Sequence, residues 1–459
     1  VPLPTTDPSQ VDLDAQGVLD FLDAAAHLDL HSIAIARGGR AVVRGWWVPY
    51  APERRHLLYS VSKSVTATTV ATLAAEGLLG LDDPVLTHLP PAALAGVPEI
   101  ADVWHRVTVR HCLTMTVGHT AEAWSAPLRD ADEPLHAILA SPPDAGPGTV
   151  FAYNQVATYL LSRAAEHRGG APLDVLARER VLAPLGASDL VWETDRAGHP
   201  WGFSGARMRT DDLLSLTQLW LDGGRSGDRQ VVPAAWVEEA SAPYLPVEAD
   251  EDSDWAQGYG QSFWNARHGY RADGAYGQYG IVLPEHGLAV AITSEISEMQ
   301  EVLDLLWQHL LPAVGRAGAP GADERLRTRL AALSIPPLGV TADAPQPRGS
   351  LAIDPASDVT GVHGVQIDAD GATLTLVRDG EPIQVEVGDG TWLTATPTVD
   401  GRSLPVAASG GWTESGYVAE IRMVETPHSF RVATGPSGAL LSWRLAPLGG
   451  GDPLVCATP

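Results

Sequence analysis

Strand-forming sequence brackets a long, mostly helical stretch, and this order constrains the fold more than any other feature of the chain. Residues 31–36 and 41–47 are apolar runs around a Gly38-Gly39 turn, and strand signals return only at 259–264, 280–283 and 288–293. A sheet assembled from both ends of a segment must close around what lies between. It leaves a cleft where the helical insert meets the sheet. Helices are expected at 15–28, 60–76 (stopping at Gly77), 211–221, 233–240 and 297–311, with the insert at about 78–200.

Beyond this segment come a Gly/Ala/Pro-rich stretch at 316–321, a short helix at 323–333 and a Pro-rich linker at 336–350. Turn signals then recur at Asp370-Gly371, Asp379-Gly380, Asp389-Gly390, Asp400-Gly401 and Pro436-Ser437-Gly438, with period-two alternation between them. The expectation is two domains: 1–335, mixed α/β, and 336–459, an antiparallel β-barrel or sandwich. Trp392, Trp412 and Trp443 are expected in the core of the second.

Composition narrows the partners. A net charge of −26 would repel nucleic acid and anionic membranes and leaves small neutral or cationic ligands. No apolar run is long enough to span a bilayer. Residues 1–14 lack a basic head and apolar core, which points to a cytoplasmic protein, although a chain opening Val-Pro is compatible with a removed leader. Cys112 and Cys456 are the only cysteines and are expected to be unpaired. The histidines are scattered without a His-Glu-x-x-His pattern, so no metal or other cofactor is expected. Gly202-Phe203-Ser204-Gly205 lacks the spacing of a Gly-x-Ser-x-Gly elbow, which argues against a Ser-His-Asp hydrolase of that kind.

Lys63 is the single lysine of the 459 residues, three positions after Ser60 at the start of the 60–76 helix. Everywhere else the chain uses arginine for positive charge. Lysine, unlike arginine, can lose its proton when desolvated and then serve as a base. The three-residue spacing places both side chains on one helical face, and the helix start leaves the Ser60 N–H free to donate to an oxyanion. Ser60 is thus a candidate nucleophile and Lys63 its base, with Ser62 and Ser64 expected to pack or cap.

Tyr153, in Phe151-Ala152-Tyr153-Asn154-Gln155 before an apolar helix, is a candidate second acid/base group. The glycine-dense 271–280 run leads into a strand; it is either a tight hairpin or an edge allowing close backbone approach, where the Ala275 N–H completes an oxyanion hole. The acidic 248–254 run is either a solvated loop or a cation-steering patch.

These three segments, in this order, resemble the serine β-lactamase and penicillin-binding-protein superfamily, specifically the class C β-lactamase-like serine hydrolases that include family VIII esterases and D-aminopeptidases. The resemblance spans about residues 10–312, with further matches at 107–118 and 209–224. It implies a β-lactamase-like α/β domain, and it likens the C-terminal strands to the lipocalin-like barrels some of these hydrolases carry.

It also implies a Ser60 acyl-enzyme, with Lys63 and Tyr153 moving protons and Asn154, Gln155, Ala272, Asp273 and Gly274 lining the substrate. Two positions depart from the family pattern. Gln155 stands where the family has asparagine, with Asn154 adjacent, and Ala272-Asp273 stand for the Lys-Thr that anchors a substrate carboxylate. Asp273 would repel a carboxylate unless Arg271 or His268 compensates. It is either a turn residue or a partner for a substrate ammonium.

The substrate is therefore expected to be a neutral or amine-bearing ester or amide, with β-lactams disfavoured. A D-amino-acid peptidase or amidase, a weak β-lactamase and a degenerate homologue that binds without turnover are the alternatives.

Overall fold

In the computed structural model, which describes residues 3–339 and 349–453, strands from both ends of the first segment form one sheet. Strands β1 (Leu30–Arg37), β2 (Arg40–Trp46), β3 (Trp264–Asn265), β4 (Tyr270–Gly274), β5 (Gln278–Leu283) and β6 (Leu288–Ser294) lie in the order β2-β1-β6-β5-β4-β3. Every pair is antiparallel.

Register gives the two faces different side chains. Ile33, Ile35, Val290 and Ile292 line up on one face and pack with Val18, Phe21 and Leu22 of α1 (Ala15–Ala24) and with Val302 and Leu303 of α5 (Met299–Leu305). The other face carries Ala34, Ala36, Ala289 and Ala291. Small residues there let helices α2 (Val61–Ala75) and α4 (Thr210–Leu221) sit close to the sheet. At Gly280 a Cβ would lie only 2.8 Å from Thr217 Oγ1 of α4.

Helix α2 is buried from Val61 to Leu73, so its polar groups need internal partners. They have them: Thr66 Oγ1 donates to Gly202 O at 2.8 Å, Thr68 Oγ1 to Ser64 O at 2.6 Å and Thr69 Oγ1 to Val65 O at 2.9 Å. Gly77 follows with φ 73°, the left-handed conformation glycine adopts freely after a helix end. The insert packs α3 (Gln155–Gly169) against α2.

Two expectations need correction. The expected strand at 259–264 is absent up to Trp264, where the short β3 begins: Tyr259 makes only isolated bridges to Leu245 and Trp264, and Ser262 turns the chain at φ 65°. A Cβ at Gly260 would lie 2.1 Å from Ala240 O, so close packing against another backbone takes the place of strand pairing.

Nor do the C-terminal strands close into a barrel. Among the described residues they form a four-stranded sheet (Gly349–Ala352, Gly364–Ile367, Thr373–Arg378, Glu381–Glu386) and a five-stranded sheet (Leu393–Ala395, Val406–Thr413, Gly416–Met423, Ser429–Gly435, Gly438–Trp443). Both sheets contribute to one core, which includes Leu374, Val385, Ile421, Phe430, Trp412 and Trp443. Single bridges, Ile353 to Ala439 and Gly388 to Ser409, are the only pairings between them among the described residues. Alternation and turn residues specify hairpins, whereas closure depends on tilt and stagger that a hairpin pattern does not encode.

Cys112 is buried and free, while Cys456 and residues 340–348 of the expected linker lie outside the described residues. No helix among the described residues is long and apolar enough to cross a membrane.

The C-terminal sheets are held to the first segment by buried charge. Arg422 donates to both oxygens of Asp29 at 3.0 and 2.9 Å, and Arg444 reaches the same carboxylate at 2.7 Å. Trp392, half-buried, lies at this contact beside Tyr50, Ala407 and Val424. Removing one partner of a fully buried pair strands the other charge. Arg422→Ala is therefore expected to lower stability by about 3–5 kcal/mol in urea titration, and a loss below about 1 kcal/mol would contradict this account of the contact.

Candidate active site

Ser60 sits at the N-cap of α2 with φ −70° and ψ −8° and is half-buried. Lys63, one turn on, is 1% exposed. Its Nζ donates to Ser60 Oγ at 3.0 Å and to Phe203 O at 3.0 Å, and lies 4.6 Å from the Tyr153 ring centroid. Burial pushes the Lys63 ammonium down to about 7, against the opposing pull of the Glu122 and Asp273 carboxylates. Burial raises Tyr153, while its side-chain interaction with Ser60 works in the opposite direction. The Tyr153 ring stacks on Trp264, centroids 5.5 Å apart. Ser60, Lys63 and Tyr153 are thus brought together.

Ser62 and Ser64 are occupied elsewhere. Ser62 Oγ donates to Tyr59 O at 2.5 Å and accepts from Ala206 N, and Ser64 Oγ donates to Ser262 O at 2.6 Å. Asn154 caps α3: its Oδ1 accepts from Val156 N at 2.9 Å and its Nδ2 donates to Ala121 O at 3.0 Å. Both ends of that side chain are spent on the fold. Gln155, the next residue, has a buried Oε1 with no hydrogen-bond partner among the described residues.

Strand β4 runs up to the serine. A Cβ on Gly274 would lie 2.2 Å from Leu58 O, so only glycine lets the strand end this close to the nucleophile segment. Ala272 is fully buried on the helix-facing side. Asp273 is not a turn residue but an internal strand residue, buried and paired with Arg271 Nε at 2.9 Å. The strand continues past Asp273 because the hairpin turn falls at 275–277, where Tyr276 and Gly277 take positive φ.

Burial raises the Asp273 carboxyl to about 6, with Arg271 and Lys63 pulling it back. Arg271 also donates to Asn265 O at 2.7 Å, and its guanidinium lies 4.6 Å from the Trp255 ring. His268 instead packs near Trp307 and His286. The backbone N–H groups of Ser60 and Ala275 have no hydrogen-bond partner among the described residues.

The acidic 248–254 run divides. Residues 248–252 are exposed, whereas Asp254 is buried and bound by Arg267, Gln300 and Trp307. Sequence reasoning missed Glu122. Its carboxylate accepts from Trp124 N at 2.7 Å and from Gln155 N at 3.2 Å, placing negative charge at the N-terminus of α3 and within electrostatic range of Lys63. A single glutamate in an irregular loop carries no pattern that would have revealed it.

Away from this site, Asp29, His31 and Glu295 approach closely enough to hold a cation. Arg422 and Arg444 already occupy Asp29, and Ser429 donates to Glu295 at 2.6 Å, so protein groups supply the positive charge and protons there.

Residues 24–313 match the Beta-lactamase family. The chain belongs to that family. It is 27% identical over 227 residues to the 6-aminohexanoate-dimer hydrolase of Paenarthrobacter ureafaciens, covering 45% of this chain and 56% of the relative. It is 28% identical over 215 residues to esterase EstB of Burkholderia gladioli, covering 40% of this chain and 54% of that one. The chain thus spans little more than half the length of these two relatives. The solved structure of SurE shares the fold, with a TM-score of 0.52 and 20% identity over 90% of this chain and 97% of that one. That likeness extends beyond the family match into the C-terminal sheets.

The close approach of β4 is open to a direct check. Gly274→Ala must push the strand away from Leu58 O or strain both backbones, and is expected to cost about 1–3 kcal/mol in urea titration. Unchanged stability would mean that the approach is looser than 2.2 Å implies.

Proposed function

We propose that this protein is a serine hydrolase that cleaves a small ester or amide through an acyl-enzyme on Ser60. One observation carries the proposal: a buried amine with its pKa brought to about 7 lies 3.0 Å from the hydroxyl of a half-buried serine. Neutral Lys63 accepts the Ser60 proton as Oγ attacks the carbonyl carbon. The N–H groups of Ser60 and Ala275 stabilise the oxyanion, and collapse of the tetrahedral intermediate expels the alcohol or amine, protonated by way of Tyr153. Water then attacks the acyl-enzyme by the same route and releases the acid.

The substrate is a neutral or amine-bearing molecule. Glu122 and Asp273 both exert negative potential at Lys63, and Arg271, the nearest compensating cation on β4, is committed to Asp273 and Asn265 O. This field disfavours a substrate carboxylate and suits an ammonium. A D-amino-acid amidase is the second reading, favoured by the same carboxylates. A binding protein without turnover is disfavoured, because nothing in ligand binding requires a desolvated amine against a serine.

A fluorophosphonate probe is expected to label Ser60, and Ser60→Ala to abolish hydrolysis of a nitrophenyl butyrate ester. Lys63→Arg should lower the rate by about 10²–10⁴ because the guanidinium keeps its proton. Labelling elsewhere, or unchanged turnover in both variants, would sink the proposal. A D-alanyl amide and a chromogenic cephalosporin in the same assay test substrate class.

The pH dependence follows from Lys63. The amine is the active form, so kcat/KM for the ester is expected to rise as pH increases through about 7. Glu122 favours the ammonium, so Glu122→Gln should move this rise to lower pH. A midpoint that stays put or moves upward would remove Glu122 from the account.

A further inference from the structure

Two tyrosines bracket the proposed oxyanion donors, Tyr59 immediately before Ser60 and Tyr276 immediately after Ala275. Both have left-handed backbone, φ 47° and 64°, a region that bulky L-residues rarely adopt. Such conformations persist where the surroundings hold them. Here the holding groups come from the C-terminal sheets. Tyr59 Oη lies 2.5 Å from His428 Nε2, and Tyr276 Oη donates to Ala446 O at 2.6 Å. The imidazole sits edge-on to both phenol rings, with centroids 5.7 Å from Tyr59 and 4.7 Å from Tyr276.

His428 is itself fixed. Its N–H donates to Thr426 Oγ1 at 3.1 Å, and its Nδ1 lies 3.0 Å from Leu445 O. A carbonyl only accepts, so Nδ1 carries the ring proton, Nε2 offers a lone pair, and Tyr59 donates to it.

We infer that the C-terminal sheets set the oxyanion hole: His428 and the Ala446 carbonyl hold Tyr59 and Tyr276 in their left-handed conformations and thereby aim the Ser60 and Ala275 N–H groups at one point. This rests on the proposed role of those two N–H groups. His428 is a positioning residue, acting through Tyr59 and touching no substrate. An oxyanion hole works through direction, because its donors must meet charge that forms only in the transition state. A small rotation of the peptide before Ser60 would misdirect its N–H while leaving the Ser60 to Lys63 contact in place. The C-terminal sheets are then part of the catalytic unit, joined to it at the two positions where backbone direction matters most.

The test uses the full chain, a nitrophenyl butyrate ester and phenylboronic acid, which forms a tetrahedral adduct on a serine and so reports on the hole. Tyr59→Phe and His428→Phe are each expected to lower kcat/KM by about tenfold or more, with boronate affinity weakened by the same factor. His428→Gln, which keeps an acceptor for the Tyr59 hydroxyl, should recover most of the loss. The double variant should be no worse than the worse single one, since both break one contact.

Misfolding lowers the active fraction but not the affinity of what remains, so parallel loss of affinity separates positioning from general damage. Should His428→Phe fail to fold, Tyr59→Phe, which loses only a hydroxyl, decides the matter. Turnover within twofold of the parent in Tyr59→Phe, unchanged boronate affinity, or multiplicative losses in the double variant would overturn the inference. If Ser60→Ala retains turnover, the hydrolase reading fails; if Ser60→Ala is inactive and Tyr59→Phe is normal, only the role of the C-terminal sheets does.

Discussion

The structure turns on keeping one amine dry. An ammonium next to a serine is an ordinary hydrogen-bonding pair, and the proposed chemistry begins only when desolvation brings Lys63 to about 7. That requires α2 to be enclosed along nearly its whole length, which the alanine face of the sheet and the satisfied threonine hydroxyls make feasible. It also limits how near a carboxylate can come. Glu122 and Asp273 act on Lys63 through space, but neither makes a salt bridge to it among the described residues. A direct contact would restore the ammonium and remove the base. The Phe203 carbonyl instead orients the amine without adding a net charge.

The contact with the C-terminal sheets solves a related problem with the opposite sign. Asp29 and Glu295 are both buried there, and two adjacent carboxylates cannot both stay charged cheaply. His31, whose Nε2 lies 3.5 Å from the carboxylate, and Arg422 hold Asp29 ionised against its burial, while burial raises Glu295 to about 8, so that it keeps its proton near neutrality. Ser429 N, Ser429 Oγ and Leu445 N all reach Glu295, which ties the Ser429–Gly435 strand and the segment around Leu445 to the end of β6. The turn leading into that strand from Met423 carries His428. An interface built on paired charges fixes orientation more strictly than apolar contact alone, and orientation is what the proposed oxyanion hole at Ser60 and Ala275 requires.

What the sequence made legible follows from range. Ser60 and Lys63 are three residues apart, so helical geometry alone brings them together, and Tyr153 was readable from its place before an apolar helix. The sheet drawn from both chain ends was readable because strand and helix periods differ. Of the two readings of Asp273, the turn fails because a neighbouring glycine is an ambiguous signal: Gly274 is there for close approach to Leu58, not for a turn. The 259–264 segment has strand composition but is shaped by Gly260 packing on Ala240 O, a contact invisible in the chain order. Glu122 and His428 were out of reach for the same reason. Each acts on a residue distant in sequence through a loop that has no periodicity of its own.

The resemblance noted in the sequence bears on one chemical point. Ala272 and Asp273 in place of Lys-Thr look like the loss of an anchor, yet β4 still carries a cation one residue earlier. Arg271 is fully buried, bonded to Asp273 and Asn265 O, and stacked near Trp255. A substrate carboxylate would have to compete with Asp273 for that guanidinium, and would do so beside Glu122. The strand therefore presents a cation already paired with a carboxylate, where the resemblance implies a lysine. Under the proposed function, selectivity against anionic substrates is built from the pair rather than from the missing lysine.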